Sequence, residues 1–246
     1  MVAPTNQELE QILAAYEDIE HDLSIFMDGI RKWFDEHRRL RRPHVSVVHS
    51  VKSRLKDRDH LTEKIRRKWS EDDPITAENI FVKVNDLAGV RVLHLYQDQF
   101  PAIHIEILDK IEKQKDWVLV EPPKAYTWDP ETRQFFEGLN IGVEIKESYY
   151  TSVHYVIRPR VDSPLCCEIQ VRTLFEEIWG EVDHSLNYPD PSENLACREQ
   201  LKVLAKLVGA GSRLVDSIFR SAGTGGELRQ VRGSAGRGDG GDGRCE

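Results

Sequence analysis

The chain has 246 residues, of which 39% are hydrophobic and 31% are charged, and its formal net charge at pH 7 is −8. This size is enough for one well-buried core with an appended helical element, and the acidic balance argues against a protein that coats nucleic acid through bulk charge. The cysteines lack CxxC spacing, which argues against a zinc site or a disulfide scaffold. Neither a signal peptide nor an apolar run of membrane-spanning length is visible. We therefore expect a protein of the reducing cytoplasm that has no membrane partner.

The first predicted elements are a long helix and a basic segment. Thr5 and Glu8 fit a capping box, and the apolar residues after them recur at helical spacing as far as Pro43. A strand is expected within HVSVVHSVKSR, and a short helix within HLTEKIRRKW, with Asp59 as its cap. The stretch 37–68 is strongly basic, and a local basic surface on an acidic protein suits an anionic substrate.

The remaining elements alternate between strands and helices. A strand in NDLAGVRVLHLY, a helix in PAIHIEILDKIEKQ and a strand in DWVLV are followed by residues 121–146, which predict a loop or small insertion. Strands are then expected in YYTSVHYVIRP and CCEIQVRT, and helices in LFEEIWGEVDHSLNYP and over 194–220. We predict an α+β fold, a mixed β-sheet flanked by helices, divided into an N-terminal helical arm (1–43), a core (44–189), a C-terminal helix (190–220) and a disordered glycine-rich tail (221–246).

The predicted strands carry polar faces of different chemistry, because side chains alternate between the two faces of a strand. The first strand is cationic on one face, KESYYTSVHYV is aromatic with an imidazole, and the last strand combines an acid, an amide and a guanidinium. In that order, the residues sharing a face are Lys52, Arg54 and Lys56; Lys146, Tyr150, Ser152 and His154; and Glu168, Gln170 and Arg172.

Together these faces predict a nucleotide site. Phosphate groups are bound by arginine and lysine side chains such as Arg54, Lys56 and Lys64. Magnesium binds one or two carboxylates together with phosphate oxygens, and Asp86 and Glu168 could supply them. Tyr150 could stack on a purine. The combination is typical of phosphoryl or pyrophosphoryl transfer between nucleotides, in which positioning and charge neutralisation do most of the catalysis.

Each of these residues also has a purely structural interpretation. Asp86 could cap a turn, Glu168 could form a cross-strand ion pair with Arg172, Tyr150 could be half buried in its strand, and Lys64 could lie on a solvated helix face. A Walker loop is absent from the sequence, which argues against an ordinary P-loop kinase.

Four ordered motifs resemble those of the synthetase domain of RelA/SpoT-type alarmone synthetases. They are RLKDRDHLTEK, DLAGVR, YTSVH and EIQVRT, and WGEVDHSLNY is similar to a continuation found in small single-domain members. The resemblance runs from about Ser53 to Tyr188. It implies a nucleotidyltransferase-like fold and a small, stand-alone pyrophosphokinase that uses Mg²⁺ to transfer the β,γ-pyrophosphate of ATP to the ribose 3′-hydroxyl of GTP or GDP, giving pppGpp or ppGpp and AMP.

The resemblance also implies a role for each matching residue. Asp86 would bind magnesium, and Glu168 would be a second ligand or the base that activates the 3′-hydroxyl. Tyr150 would stack on the acceptor guanine. The ATP-binding residues would be Arg54, Lys56, Lys64 and Arg91. The acceptor-binding residues would be Lys146, Tyr150, His154, Gln170 and Arg172.

One stretch departs from the family pattern, which often reads K-x-N-G-Y before the acceptor strand. Here it reads KESYY, with Ser148 in place of asparagine and Tyr149 in place of glycine, and we expect an altered loop over the acceptor base. Two alternatives therefore stay open: a toxic relative that pyrophosphorylates tRNA 3′ ends or makes adenosine alarmones, and a catalytically silent nucleotide-binding regulator. The acidic charge disfavours tRNA. The helical arms could form a homo-oligomer interface.

Overall fold

The structure is a computed structural model that describes residues 3–42, 46–187 and 192–223. A 3₁₀ turn precedes α4, and a π-helical turn follows it. The elements in chain order are α1 (Asn6–Asp35), β1 (Ser50–Leu55), α2 (Arg58–Lys68), α3 (Ile80–Lys83), β2 (Ala88–His94), α4 (Phe100–Leu108), β3 (Val118–Leu119), β4 (Lys124–Thr127), α5 (Pro130–Glu137), β5 (Gly142–Ile145), β6 (Ser152–Arg158), β7 (Cys167–Thr173), α6 (Leu174–Asn187) and α7 (Leu195–Ser221).

Within the described residues, seven strands form one mixed sheet in the order β1-β2-β7-β6-β4-β5, with β3 paired to β6 outside that path. The pairs β2–β7 and β4–β5 are parallel, and the others are antiparallel. Since helices also cover the sheet, the predicted α+β class with a mixed sheet is confirmed. The parallel β2–β7 pair at the centre brings together two strands that the chain separates by more than 70 residues.

The apolar face of the sheet packs against α1 and forms the main core. Helix α1 lies across β1, β2 and β7, and its buried stripe includes Leu23 and Phe34. The predicted capping box is present, because the Thr5 hydroxyl accepts from the Glu8 N–H and the Glu8 carboxylate accepts from the Thr5 N–H. The helix ends at Asp35, earlier than the predicted end near Pro43.

The opposite, polar face of the sheet is covered by α6, and α7 packs on α6. Trp179 of α6 is buried against Ala205 and Val208 of α7, and its indole N–H donates to the Leu201 carbonyl at 3.2 Å. The two terminal helices therefore belong to different layers of the fold. An oligomer interface on either of them stays a prediction.

The prediction that residues 121–146 form a loop or small insertion is wrong, because these residues form regular strands and a helix. This stretch forms β4, α5 and β5, and it extends the sheet by two strands. Asp129 caps α5 by accepting from the Thr132 N–H at 2.9 Å, and Pro130 occupies the first turn, where its missing N–H costs nothing. Strands of four residues are too short to show a clear alternation, so pairing of β4 with β6, and of β5 with β4, decides their conformation.

The helix cap predicted at Asp59 is also wrong, because Asp57 caps α2. The Asp57 carboxylate accepts from the N–H groups of Asp59 and His60 at 2.9 and 3.3 Å. Asp59 is instead the acidic residue of the first turn, a position that the helix dipole also favours.

Some predictions fall outside the described residues. They concern the end of the predicted helix at Tyr188 and Pro189, and most of the predicted tail, residues 224–246. Among the helices that the structure does describe, none combines the length and apolarity needed to cross a bilayer.

We expect Asp216→Asn to stabilise the fold at alkaline pH. Asp216 of α7 is 2% exposed and accepts from the Asp98 N–H at 2.9 Å, and burial raises its pKa to about 6. Because the folded-state pKa is above the unfolded value, stability is highest when Asp216 is protonated and falls as pH rises through about 6. Asparagine keeps the acceptor without the charge. The gain in unfolding free energy should be roughly 1–2 kcal/mol at about pH 8 and should fade near pH 4, measured by urea denaturation. An equal gain at both pH values would contradict this account.

Candidate active site

The register of the sheet aligns the polar residues of four strands in two neighbouring rows on the face under α6. One row consists of Lys52, Arg91, Gln170 and His154. The next row begins with Arg54, Gly89 and Glu168. Because Gly89 has no side chain, the floor between Arg54 and Glu168 stays open.

A cavity of about 530 Å³ lies between this face and α6. Its volume is in the range of sites that bind small organic ligands. A smaller cavity of about 100 Å³ adjoins it and shares Arg54, Asp86 and His184 with it. The predicted residues that line the large cavity are Arg54, Asp86, Arg91, Tyr150, Glu168, Gln170 and Arg172. Lys56 and Lys64 line the smaller one.

Asp86 lies where the two cavities meet, just before β2, and two lysines hold its carboxylate. Its Oδ1 is 2.6 Å from Lys64 Nζ, and its Oδ2 is 3.1 Å from Lys56 Nζ. Burial opposes ionisation of Asp86, but these two ammonium groups outweigh burial and lower its pKa. The carboxylate is therefore charged at neutral pH, beside two cations that are themselves only 17% and 11% exposed.

Glu168 is held by a chain of hydrogen bonds. His154 Nδ1 lies 2.9 Å from Glu168 Oε1, and Gln170 Nε2 donates to Oε2 at 2.5 Å. An ionised carboxylate only accepts, so the Nδ1–H of His154 donates to Glu168, and the other ring nitrogen, Nε2, lies 2.9 Å from the Tyr150 hydroxyl. Burial raises the pKa of Glu168, but the bonds from His154 and Gln170 lower it further than burial raises it.

Two predicted site residues, Lys146 and His154, line neither cavity. The Lys146 ammonium group contacts Glu144 and lies 4.6 Å from the centre of the Tyr126 ring. Tyr126 in turn packs edge-on against His154, with ring centres 4.7 Å apart. The Tyr126 ring therefore lies between Lys146 and His154, and His154 lies behind Glu168.

Glu177 holds several cationic side chains of the site in place, and the sequence patterns did not predict this role. It lies in the first turn of α6, is 5% exposed, and contacts cations from three strands. Its carboxylate lies 2.9 Å from Lys52 Nζ and 3.4 Å from Arg91 Nη1, and it forms an ion pair with Arg172. Burial opposes ionisation, but Arg172, Lys52 and Arg91 lower the pKa of Glu177 to about 2. An acid at the start of a helix is common, so its position alone gave no signal.

Helix α6 supplies one wall of the large cavity through residues three and four positions apart. Gly180, Asp183, His184 and Asn187 share this face. A Cβ atom at Gly180 would lie 2.9 Å from Arg172 Nη1, so any other residue there would displace the Arg172 guanidinium. These residues of α6 belong to the WGEVDHSLNY motif. The motif indicated a resemblance to the family, but it did not predict that these side chains line a cavity.

We expect Glu177→Gln to destabilise the fold by roughly 2–3 kcal/mol at pH 7, because it leaves three cations without their shared carboxylate. The pKa of Glu177 is lowered in the folded state, so its stabilising contribution is present above the unfolded value near 4 and is lost as pH falls below it. The deficit should therefore shrink at acidic pH in urea denaturation. Glu176→Gln is the matched control, since burial raises the pKa of that neighbour and its charge does not stabilise the fold. A deficit that is the same for both variants would contradict the role of the three cations.

The two carboxylates that face the large cavity from the sheet, Asp86 and Glu168, have the chemistry of magnesium ligands. Within the described residues, no group of three or more histidine, cysteine, aspartate or glutamate side chains could hold a metal ion. This donor set fits magnesium bound jointly with a polyphosphate, because Mg²⁺ usually takes one or two carboxylates and completes its shell with phosphate oxygens and water.

The family described as a region found in RelA / SpoT proteins matches residues 53–193. The chain belongs to this family. Over 221 residues, it is 25% identical to the GTP pyrophosphokinase YjbM of Bacillus subtilis, an alignment that covers 87% of this chain and 88% of YjbM. The chain is thus similar to a small member of the family over most of its length.

Two crystal structures of the small alarmone synthetase 1 from Bacillus subtilis share the fold. The structure bound to its product pppGpp has a TM-score of 0.59 at 23% identity, and the structure bound to AMPCPP has a TM-score of 0.56 at 22% identity. Each comparison covers 89% of this chain and 100% of the other. The predicted family and the predicted fold are therefore both confirmed.

Proposed function

We propose that this protein is an ATP:GTP 3′-diphosphotransferase, a GTP pyrophosphokinase that makes (p)ppGpp. The observation that carries the proposal is the joined pair of cavities, in which cations of β1 and α2 surround Asp86 and the carboxylate of Glu168 lies on the adjacent floor. Membership of the RelA/SpoT family supports it, as does the similarity to a protein named GTP pyrophosphokinase.

The donor ATP is assigned to the junction of the two cavities. Arg54, Lys56 and Lys64 converge there around Asp86, and Arg91 lies one row further along the sheet. A triphosphate would replace the lysine–aspartate contacts with lysine–phosphate contacts, so the cations are already in position for it. Asp86 would hold magnesium, which when bound would neutralise charge on the phosphate oxygens.

The acceptor nucleotide is assigned to the side of the large cavity nearest β6. The Tyr150 ring lines this side of the cavity, and its centre lies 5.8 Å from the Arg172 guanidinium. We assign the ring as the surface on which the acceptor base stacks. Gln170 lines the same cavity and would contact the ribose or phosphates of the acceptor, whereas the acceptor contacts of Lys146 and His154, which line neither cavity, stay predictions.

In the proposed reaction, the acceptor 3′-oxygen attacks the β-phosphorus of ATP. A new O–P bond forms, the bond from the β-phosphorus to the α,β-bridging oxygen breaks, and AMP leaves with that oxygen. Glu168 takes the proton of the 3′-hydroxyl. The bonds from His154 and Gln170 keep its carboxylate ionised and fixed in direction, as a general base requires.

The test is incubation of the purified protein with γ-labelled ATP and magnesium, with GDP, GTP, GMP, ATP and tRNA offered separately. Label on a guanosine nucleotide, with AMP as the second product, is the expected result. Label on tRNA or on an adenine nucleotide alone would identify a toxin-like relative, and the absence of transfer to every acceptor would favour a silent nucleotide-binding regulator.

A further inference from the structure

The loop before β6 is fastened at both ends to the end of β4. We call residues 146–151 the acceptor loop. Its first residue, Lys146, donates its N–H to the Thr127 carbonyl at 2.9 Å, and the hydroxyl of its last residue, Thr151, lies 3.1 Å from the Thr127 hydroxyl. The conformation of the residues between these anchors determines where the side chain of Tyr150 points.

Tyr149, within this loop, has a left-handed backbone conformation with φ of +63°. This is the position at which the family pattern has glycine, which adopts that conformation without steric cost. A tyrosine there is strained, and such strain persists only where the surrounding structure holds the residue in place. The chain therefore keeps the turn that glycine would allow, but with a large side chain attached to it.

Packing against Trp128 and α7 holds Tyr149 in this conformation. The rings of Tyr149 and Trp128 have centres 5.0 Å apart, and both pack on the cluster around Trp179, Ala205 and Val208. This region is tied to α7 a second time, because Asp129, next to Trp128, forms a 2.9 Å ion pair with Arg213. The side chain of Tyr149 thus joins the acceptor loop to the C-terminal helix.

The neighbouring Tyr150 also packs against the cluster around Trp179, but it lines a different cavity from Tyr149. Its hydroxyl contacts His154 Nε2 at 2.9 Å, and its ring lines the large cavity near Arg172. Tyr149 instead lines a narrow crevice beside Trp128 and α7. The left-handed backbone of Tyr149 turns the chain between these two places, so that anchoring the Tyr149 ring on α7 sets the position of the Tyr150 ring in the large cavity.

We propose that Tyr149 is a positioning residue for the acceptor nucleotide, which it serves by latching the acceptor loop to α7 and thereby fixing the Tyr150 ring. This inference rests on the proposed function, in which Tyr150 stacks on the acceptor base. It assigns a specificity role to a residue that departs from the family pattern. It also makes the acceptor side of the site, and not the ATP side, depend on the C-terminal helix.

The experiment measures equilibrium binding of GDP and of a non-hydrolysable ATP analogue to Tyr149→Gly by calorimetry. Glycine adopts the same backbone conformation without strain but has no ring to anchor the loop. We expect the Kd for GDP to rise about 10-fold, as for the loss of one well-placed contact, while the Kd for the ATP analogue stays unchanged. Backbone amides of the acceptor loop should also exchange faster with solvent.

Two variants control for other effects. Tyr149→Phe keeps the ring and should retain wild-type affinity for GDP. Lys115→Gly relieves the same left-handed strain, with φ of +59°, between α4 and β3, and should change neither affinity. Wild-type affinity for GDP in Tyr149→Gly, or equal weakening of both nucleotides, would overturn the proposal.

Failure of the proposed function would look different. In that case the wild-type protein would bind GDP without transferring pyrophosphate to it. The binding of GDP and of the ATP analogue to Tyr149→Gly would still test the role of Tyr149. A wild-type protein that does not bind GDP would overturn the positioning role together with the guanosine acceptor.

Discussion

Glu168→Gln should lower kcat for pyrophosphate transfer by about 10³-fold, the range expected for loss of a general base. Glutamine has nearly the same shape and can still bond to His154 and Gln170, but it cannot take the proton of the 3′-hydroxyl. Affinity for the acceptor should change little, because the carboxylate acts on the reacting hydroxyl and not on the base. Steady-state kinetics with GDP or GTP at saturating ATP would measure both parameters.

The pH profile gives a second test of the same role. Because His154 and Gln170 lower the pKa of Glu168 in the folded protein, Glu168 is ionised throughout the neutral range. Activity attributable to it should therefore stay constant at neutral pH and fall only on acidification below the usual glutamate range near 4. The acid limb should be absent from the residual activity of Glu168→Gln, and an unchanged acid limb in that variant would count against the base assignment.

Glu106→Gln is a matched control for Glu168→Gln, because it also removes a carboxylate that is little exposed. Glu106 is 3% exposed and forms a 2.7 Å ion pair with Arg39, and it belongs to α4, away from both cavities. Burial raises the pKa of Glu106, so its replacement should cost little stability at neutral pH and should leave kcat unchanged. A comparable loss of kcat in both variants would show that the effect of Glu168→Gln arises from the fold.

Asp86→Asn should lower activity by about 10³-fold through loss of charge at the junction of the two cavities, where magnesium and the ATP phosphates are assigned. It should also destabilise the nucleotide-free protein by roughly 1–3 kcal/mol, since Lys56 and Lys64 lose their shared counter-ion. The pKa of Asp86 is lowered on folding, so its stabilising contribution is present above the unfolded value near 4 and is lost as pH falls below it.

The measurements are kinetics with varied ATP and magnesium, and thermal unfolding with and without ATP. Added ATP–magnesium should stabilise the wild-type protein more than Asp86→Asn, because a ligand stabilises the state that binds it. Asp73→Asn is the control, since this exposed aspartate pairs with Lys83 outside the site. Unchanged activity in Asp86→Asn would remove Asp86 from the magnesium site.

Local patterns in the chain were sufficient to predict much of this molecule. The alternation of Glu168, Gln170 and Arg172 placed them on one face because side-chain direction along a strand repeats every two residues, and pairing with neighbours does not alter that repeat. The Thr5–Glu8 capping box and the direct passage from β7 into α6 are local in the same sense. The four family motifs also predicted which strand would supply each group of site residues. The family and the fold that they implied are confirmed.

Other features depend on contacts between residues far apart in the chain. Glu177 binds three cations only because the β1–β2 and β2–β7 pairings bring Lys52, Arg91 and Arg172 under the start of α6. Strand β4 forms because β6 offers an edge to pair with, and β5 then pairs with β4. Tyr149 keeps a conformation that tyrosine disfavours, because α7 and Trp128 hold its ring. No local pattern encodes these contacts, since each depends on the free energy of packing in the assembled fold.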